Sequence, residues 1–114
     1  MTPRTRKRLE DAKDACARIG QFIEGVPFDR FQSSALLRSA VERQLEIVGE
    51  ALGQAARDDE SLVEAIPDLP RIVGLRNRVI HGYDTVDPEL IWDVVQNKIA
   101  PLRQRLEAMC ADFT

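Results

Sequence analysis

One helical stripe constrains the fold of this chain more than any other feature. Between Asp29 and Arg57, apolar residues recur at steps of three and four, which is the spacing of one face of an α-helix. At about 1.5 Å per residue, such a helix is roughly 40 Å long. We therefore expect it to be the spine of a helical bundle, with these residues facing the core: Leu37, Val41, Leu45, Val48, Leu52 and Ala55.

Two further segments show the same helical period. The first runs from about Arg4 to Glu24 and is ended by Gly25 and Pro27, because glycine suits the residue after a helix and proline cannot continue the hydrogen-bond ladder. The next runs from about Leu69 to Ile80 and is followed by a glycine. The loop before it has room for one short helical turn, at Ser61–Ile66.

The last helix begins after Asp87, with Asp87 as its N-cap and Pro88 at its first position. Pro101 lies inside its apolar pattern and predicts a kink near Lys98. Short connections between consecutive helices favour antiparallel neighbours. The sequence therefore predicts an all-α fold, an antiparallel up-down four-helix bundle that admits one short extra helix.

The composition agrees with a single helical domain that spans residues 1–114. Hydrophobic residues make up 44% and aromatic residues only 5%, so aliphatic side chains must build the core. No apolar run approaches the roughly 18 residues that a membrane span requires. Cys16 and Cys110 match no metal-binding spacing, and we interpret them as free thiols in a reducing cytoplasm.

The charge of the chain limits how it would contact nucleic acid. The net charge is −3, whereas many nucleic-acid-binding domains are strongly basic. Two local clusters offer positive charge: residues 4–8 and the arginines between Arg71 and Arg78. The alternative is that both clusters are ordinary solvated surfaces, and the sequence leaves this choice open.

The segment Arg76–Tyr83 carries the most specific chemistry. His81 is the only histidine, and it lies at the end of a predicted helix, next to a glycine. Asn77 precedes it by four residues and shares its helix face. Arg76 precedes it by five residues, about 140° around a regular helix. Either the helix deforms near His81 or the face between these residues borders a shared cleft.

These residue types suit RNA cleavage without a metal or cofactor. In that reaction the ribose 2′-OH attacks the adjacent phosphate, so a base must take one proton and an acid must supply another. Histidine suits both roles because its pKa lies near neutrality. The guanidinium of Arg76 suits the charge that builds on the phosphate oxygens, and Asn77 offers hydrogen bonds in support.

One histidine per chain cannot act as base and acid at the same moment. A symmetric dimer would bring two copies of His81 and of Arg76 to one cleft, so we infer a homodimer with a composite site. The wide apolar face of the last helix agrees with this, because it exceeds what a bundle of this size requires.

Two acidic residues of the spine helix form a second group of candidates. Glu46 and Glu50 lie one turn apart, a like-charge arrangement that weakens an isolated helix and suggests a need for cations. They are candidates for orienting Arg76 or Arg78, or for contacting RNA, since a buried arginine needs an acceptor. The alternative is a solvated face or a dimer contact.

With these residues in view, the chain resembles the HEPN ribonucleases. Arg76-Asn77-Arg78-Val79-Ile80-His81 is similar to their Arg-x4-6-His motif, and with Gly82-Tyr83 it looks like the Arg-x4-His-x-Tyr motif of the HepT-like toxins. The similarity covers nearly the whole chain and includes residues 40–51, residues 72–75 and the helix that contains Trp92.

The resemblance implies a dimeric, α-helical endoribonuclease toxin that needs no metal. Arg76 and His81 would be catalytic, with Asn77 in support. The expected antitoxin is a minimal nucleotidyltransferase of the MntA type, which transfers AMP from ATP to Tyr83. An adenylate there would place negative charge and bulk beside the phosphate site and so repel RNA.

A second interpretation belongs to a different functional class. HEPN domains also occur as non-catalytic helical modules that bind nucleotides or dock partners. In that case the chain would be the substrate-binding subunit of a nucleotidyltransferase. The pair Arg76 and His81 favours the enzyme, and the overall acidity mildly favours the module.

Overall fold

The computed structural model describes residues 1–81 and 87–111, and within them it describes the backbone but not the side chains of residues 76–81. The described residues form helices and contain no strand, which confirms the all-α prediction. The helices in chain order are α1 (Pro3–Ile23), α2 (Phe28–Ser33), α3 (Ala35–Asp58), α4 (Leu62–Ala65), α5 (Leu69–His81), α6 (Pro88–Asn97) and α7 (Ile99–Ala111).

The helix ends follow local chemistry. The hydroxyl of Thr2 accepts a hydrogen bond from the backbone N–H of Thr5 at 3.1 Å and caps α1. The chain leaves α1 through Gly25, whose φ of 71° lies in the left-handed region that favours glycine. Asp87 accepts from the N–H of Glu89 and caps α6, as predicted.

The spine helix begins later than its pattern predicts. Residues Phe28–Ser33 form the separate helix α2, and Ser34 has an extended backbone. The Ser34 hydroxyl then accepts from the N–H of Leu37 at 3.1 Å, which starts α3. The interruption lets Phe31 enter the core, where it is fully buried and its ring centroid lies 4.9 Å from that of Trp92.

The predicted kink in the last helix is a break. Helix α6 ends at Asn97 and α7 begins at Ile99, with Lys98 between them. Pro101 lacks the N–H that would continue the ladder to the carbonyl of Asn97, which explains the position of the break. The kink near Lys98 is therefore confirmed.

Helix α3 packs between α1 and α5, while α7 covers the other side of α1. Helices α1 and α3 are antiparallel, because Arg18 Nη1 donates to Gln44 Oε1 at 3.2 Å while Arg8 Nη1 donates to Asp58 Oδ2 at 2.5 Å. All six residues of the predicted spine stripe face inward: Leu37 is half-buried and packs against the core, and Val41, Leu45, Val48, Leu52 and Ala55 are at most 1% exposed.

One expectation about the last helix is wrong. Its apolar face is not surplus surface, because the chain's own core covers it: Ile91, Val94, Val95, Ile99, Leu102 and Leu106 are at most 5% exposed. The bundle therefore uses this face itself, and a dimer contact must be sought elsewhere.

Two other expectations can be compared with the fold. Cys16 and Cys110 are both free and buried, which confirms that they are thiols. None of the helices in the described ranges has the length and hydrophobicity that a bilayer-spanning helix requires.

Candidate functional site

Helix α5 carries the motif to its last residue. Its backbone is helical from Leu69 through His81, so Asn77 precedes His81 by about one turn on a continuous helix. This favours the undeformed alternative for the backbone. The side chains of Arg76, Asn77, Arg78 and His81, and the whole of Tyr83, lie outside the described residues.

The close approach of α5 to α3 sets the position of the motif along the bundle. A Cβ atom on Gly53 would lie 3.7 Å from Val73 Cγ2, so α5 crosses α3 with little space between them. Only a ten-residue connection, residues 59–68, joins α3 to α5, and α5 therefore returns along α3. About two turns beyond Val73, the backbone of His81 comes level with Leu45 and Glu46.

A charged groove runs between α1 and α3, and we call it the α1/α3 groove. It has a volume of about 340 Å³ and is lined by arginines and carboxylates of both helices. The carboxylates outnumber the arginines. The charged lining residues are Arg8, Asp11, Asp14 and Arg18 from α1, and Arg43, Glu46 and Glu50 from α3.

Both acidic candidates of the spine helix lie in this groove. Glu46 is one-quarter exposed and accepts a hydrogen bond from Arg43 Nη1 at 3.2 Å. Glu50 accepts from the side-chain amide of Gln54. Their predicted role toward Arg76 or Arg78 depends on side chains outside the described residues, so it stays a prediction.

Burial also affects the neighbouring carboxyl of Glu42. Desolvation raises its pKa above the ordinary value of 4.5; the nearby Arg38 opposes this rise, and Glu46 adds to it. Glu42 therefore carries its charge at a free-energy cost on the flank of α3. Such a carboxylate favours a cation nearby.

The basic residues at the start of the chain are paired within the chain. Asp58 accepts from Arg8 at 2.5 Å and lies 3.7 Å from Arg4. Arg6 pairs with Glu10 and Lys7 pairs with Asp11, each one turn away on α1. These contacts favour the solvated-surface alternative for this cluster over an RNA contact.

The sequence analysis did not identify the charged residues of the α1/α3 groove as candidates, apart from Glu46 and Glu50. Arg18 and Asp14 are exposed on α1, and Arg43 is 69% exposed on α3. The i,i+4 spacing of Asp14 and Arg18 on α1 was visible in the sequence, but the neighbouring face of α3 was not.

In the described part of the chain, no group of three or more His, Cys, Asp or Glu side chains is placed to hold a metal ion.

Comparison with known proteins agrees with the motif. The sequence model of the family described as "Ribonuclease HepT-like" matches residues 12–109, a range that includes Arg76–Tyr83. A protein of Methanocaldococcus jannaschii named "Putative RNase MJ1380" is 33% identical over 101 residues, which cover 87% of this chain and 86% of that protein.

Two further relatives have similar coverage. "Probable ribonuclease HepT" of Thermococcus cleftensis is 32% identical over 101 residues, 89% of this chain and 91% of that protein. "Putative RNase TTE0752" of Caldanaerobacter subterraneus is 28% identical over 102 residues, 90% of each chain. No solved structure matches the chain significantly. The family match spans most of the helical bundle together with the motif, and the chain belongs to the HepT-like ribonuclease family.

Proposed function

We propose that this chain is the ribonuclease toxin of a toxin–antitoxin pair, and that it cleaves RNA without a metal ion. The observation that carries the proposal is the match to a ribonuclease family over residues 12–109, a range that includes Arg76, Asn77 and His81. The names of the relatives, which describe ribonucleases, support the same activity. We further propose that residues 1–114 act as one domain in the cytoplasm.

The proposed reaction is an attack of the ribose 2′-OH on the adjacent phosphate. His81 takes the 2′-OH proton or protonates the leaving 5′-oxygen, and Arg76 stabilises the charge on the phosphate oxygens. Asn77, one turn before His81 on the continuous helix α5, supports this arrangement by hydrogen bonding. Glu46 and Glu50 orient Arg76 or Arg78 from the neighbouring helix; their position on α3, at the level of the motif, supports that role.

The reaction needs a base and an acid, and each chain has one histidine. We therefore propose a homodimer in which both copies of His81 and Arg76 act on one phosphodiester. Helix α5, which carries the motif, packs against α3, and the buried apolar face of α6 and α7 is used within the chain, so we propose that the shared cleft lies on the α3/α5 side of the bundle.

The proposed partner is a nucleotidyltransferase antitoxin of the MntA type. The hydroxyl of Tyr83 attacks the α-phosphate of ATP, a phosphodiester bond to AMP forms, and pyrophosphate leaves with the electrons of the broken bond. The adenylate then carries negative charge two residues from His81, where it repels the RNA backbone and competes for Arg76 or Arg78.

Expression in a bacterial host tests the function. The wild-type chain should arrest growth, and His81→Ala and Arg76→Ala should each relieve the arrest. Chain made by cell-free synthesis should cleave RNA in the presence of EDTA. If the host grows without arrest and the chain binds nucleotide but cleaves no RNA, the chain is a non-catalytic docking module and not an enzyme.

A further inference from the structure

We propose that two copies of this chain pair through the α1/α3 groove, about a two-fold axis that crosses α3 between Glu46 and Ile47. This inference rests on the proposed function, because the proposed reaction needs two copies of His81. The face and the axis are inferred from the charges of the groove and from the registers of α1, α3 and α5.

The charge pattern along α3 is complementary to itself when the helix is reversed. Arg43 and Glu50 lie at equal distances on either side of the proposed axis, and both line the groove. A two-fold axis perpendicular to α3 makes the two α3 helices antiparallel, so Arg43 faces Glu50 of the second copy. Ile47 lies beside the axis and offers apolar surface at its centre.

Helix α1 shows the same complementarity about its own centre. Arg18 and Asp14 lie two residues on either side of Cys16, so reversal of α1 about Cys16 brings Arg18 opposite Asp14 of the second copy. Both side chains line the groove and are exposed. Opposite charges face each other twice in this arrangement, because a two-fold axis repeats every contact.

The two centres lie at nearly the same level of the bundle. Two hydrogen bonds set the register of the antiparallel helices α1 and α3: Arg18–Gln44 at 3.2 Å and Arg8–Asp58 at 2.5 Å. Counted from these two bonds, Cys16 lies level with the turn of α3 between Glu46 and Glu50, within about one helical turn of the proposed axis. One axis therefore brings Arg43 opposite Glu50 and Arg18 opposite Asp14, although the two patterns are independent.

The same axis brings the motif of both copies together. The proposed two-fold axis lies in the contact plane between the two copies and is perpendicular to α3. Rotation about this axis places α5 of one copy opposite α5 of the second copy. The backbone of His81 is level with Leu45 and Glu46, close to the axis, because Val73 lies against Gly53 and α5 returns along α3. Both His81 backbones thus approach one cleft, as the composite site requires.

The charges of the groove favour a second copy over RNA as the occupant. Four carboxylates stand against three arginines in the groove lining. A polyphosphate backbone would meet net negative charge, whereas a reversed copy of the same mixed pattern meets opposite charges.

Charge reversal on α1 tests the face. Arg18→Asp places two acids opposite each other at both copies of the contact, and Asp14→Arg places two bases there. Each variant alone should therefore dissociate at least about tenfold more readily than the wild-type chain. An equimolar mixture of the two variants restores opposite charges at both contacts, and it should return the dissociation constant to within about threefold of wild type.

The readout is sedimentation of the full-length chain over a range of concentrations. Arg103→Asp and Glu107→Arg, which break a 2.8 Å ion pair of the same i,i+4 spacing on α7, serve as matched controls and should leave the dimer intact. A monomeric wild-type chain, variants that dimerise as well as wild type, or a mixture no stronger than its components would each overturn the proposed face.

The same mixture separates this inference from the proposed function. A mixture that dimerises but cleaves no RNA supports the face and removes the nuclease proposal. Chains that cleave RNA while both variants alone remain fully dimeric keep the nuclease and remove the face.

Discussion

Gly53 of α3 and Val73 of α5 make the contact that sets how closely the motif helix lies against the spine. A Cβ atom added to Gly53 would lie 3.7 Å from Val73 Cγ2 and 3.8 Å from Val73 Cγ1, which is ordinary van der Waals distance. The space therefore admits a methyl group at this position. Through this contact, a residue far from the chemistry positions the backbone of His81.

Gly53→Ala should stabilise the fold. The new methyl group fits, and alanine replaces the residue with the poorest helix propensity apart from proline, which contributes about 0.5–1 kcal/mol to the free energy of unfolding. Urea denaturation measures this gain. Gly53→Leu should instead push α5 away and lower both stability and RNA cleavage, so a leucine variant as active and stable as wild type would contradict the role of this contact.

Glu42→Gln should stabilise the protein at neutral pH but not in acid. Burial raises the pKa of Glu42 above 4.5, so the native state disfavours the charged form relative to the unfolded chain. The cost is absent where both states are protonated, below about pH 4.5, and grows as the pH rises through the native pKa.

The glutamine variant should therefore raise the melting temperature on the order of 1–3 °C at pH 7 and leave it unchanged at pH 4. Thermal unfolding at the two pH values measures the difference, with Glu60→Gln at an exposed position as the control. An equal effect of Glu42→Gln at both pH values would show that desolvation of the charge is not its cause.

The two thiols should be inert in the folded protein. Burial raises the pKa of Cys16 to about 12, against the opposing influence of Arg103, and burial also raises the pKa of Cys110. Because the thiolate is the reactive form, Ellman's reagent at pH 8 should label neither residue until the chain is unfolded. Rapid labelling of two thiols per native chain would contradict the described core.

Tyr83 should carry AMP when the chain is made together with an active nucleotidyltransferase antitoxin. It is the only tyrosine of the chain, so mass spectrometry should locate the adenylate there. Tyr83→Phe should remain unmodified and should still arrest growth in the presence of the antitoxin. Full inhibition of the phenylalanine variant would show that the antitoxin acts by binding and not by modification.

Much of the helical fold follows from the sequence because burial and period coincide. The stripe from Leu37 to Ala55 and the N-cap at Asp87 predict α3 and α6 directly. The break at Ser34 is not visible in the apolar pattern, and Phe31, just before it, packs against Trp92, which is distant in the chain. Periodicity reports which face is buried, but not which element buries it.

The same limit explains the wrong expectation for the last helix. A broad apolar face predicts burial, and Val94 and Leu106 are indeed buried, but their partners belong to the same chain. The α1/α3 groove escaped the sequence for the converse reason: Arg18 and Arg43 come together only through the packing of two helices. Arg76 and His81 could be proposed from the sequence because their motif is local to one helix, and their role stays a prediction.

If two copies of His81 act on one phosphodiester, a heterodimer with a single His81→Ala subunit should lose nearly all of its activity. Differently tagged subunits allow this heterodimer to be purified and its RNA cleavage to be measured in single turnover with EDTA present. One substitution should reduce cleavage nearly to the level of the doubly substituted dimer. Retention of about half of the wild-type rate would mean that each subunit cleaves alone, and would contradict the composite site.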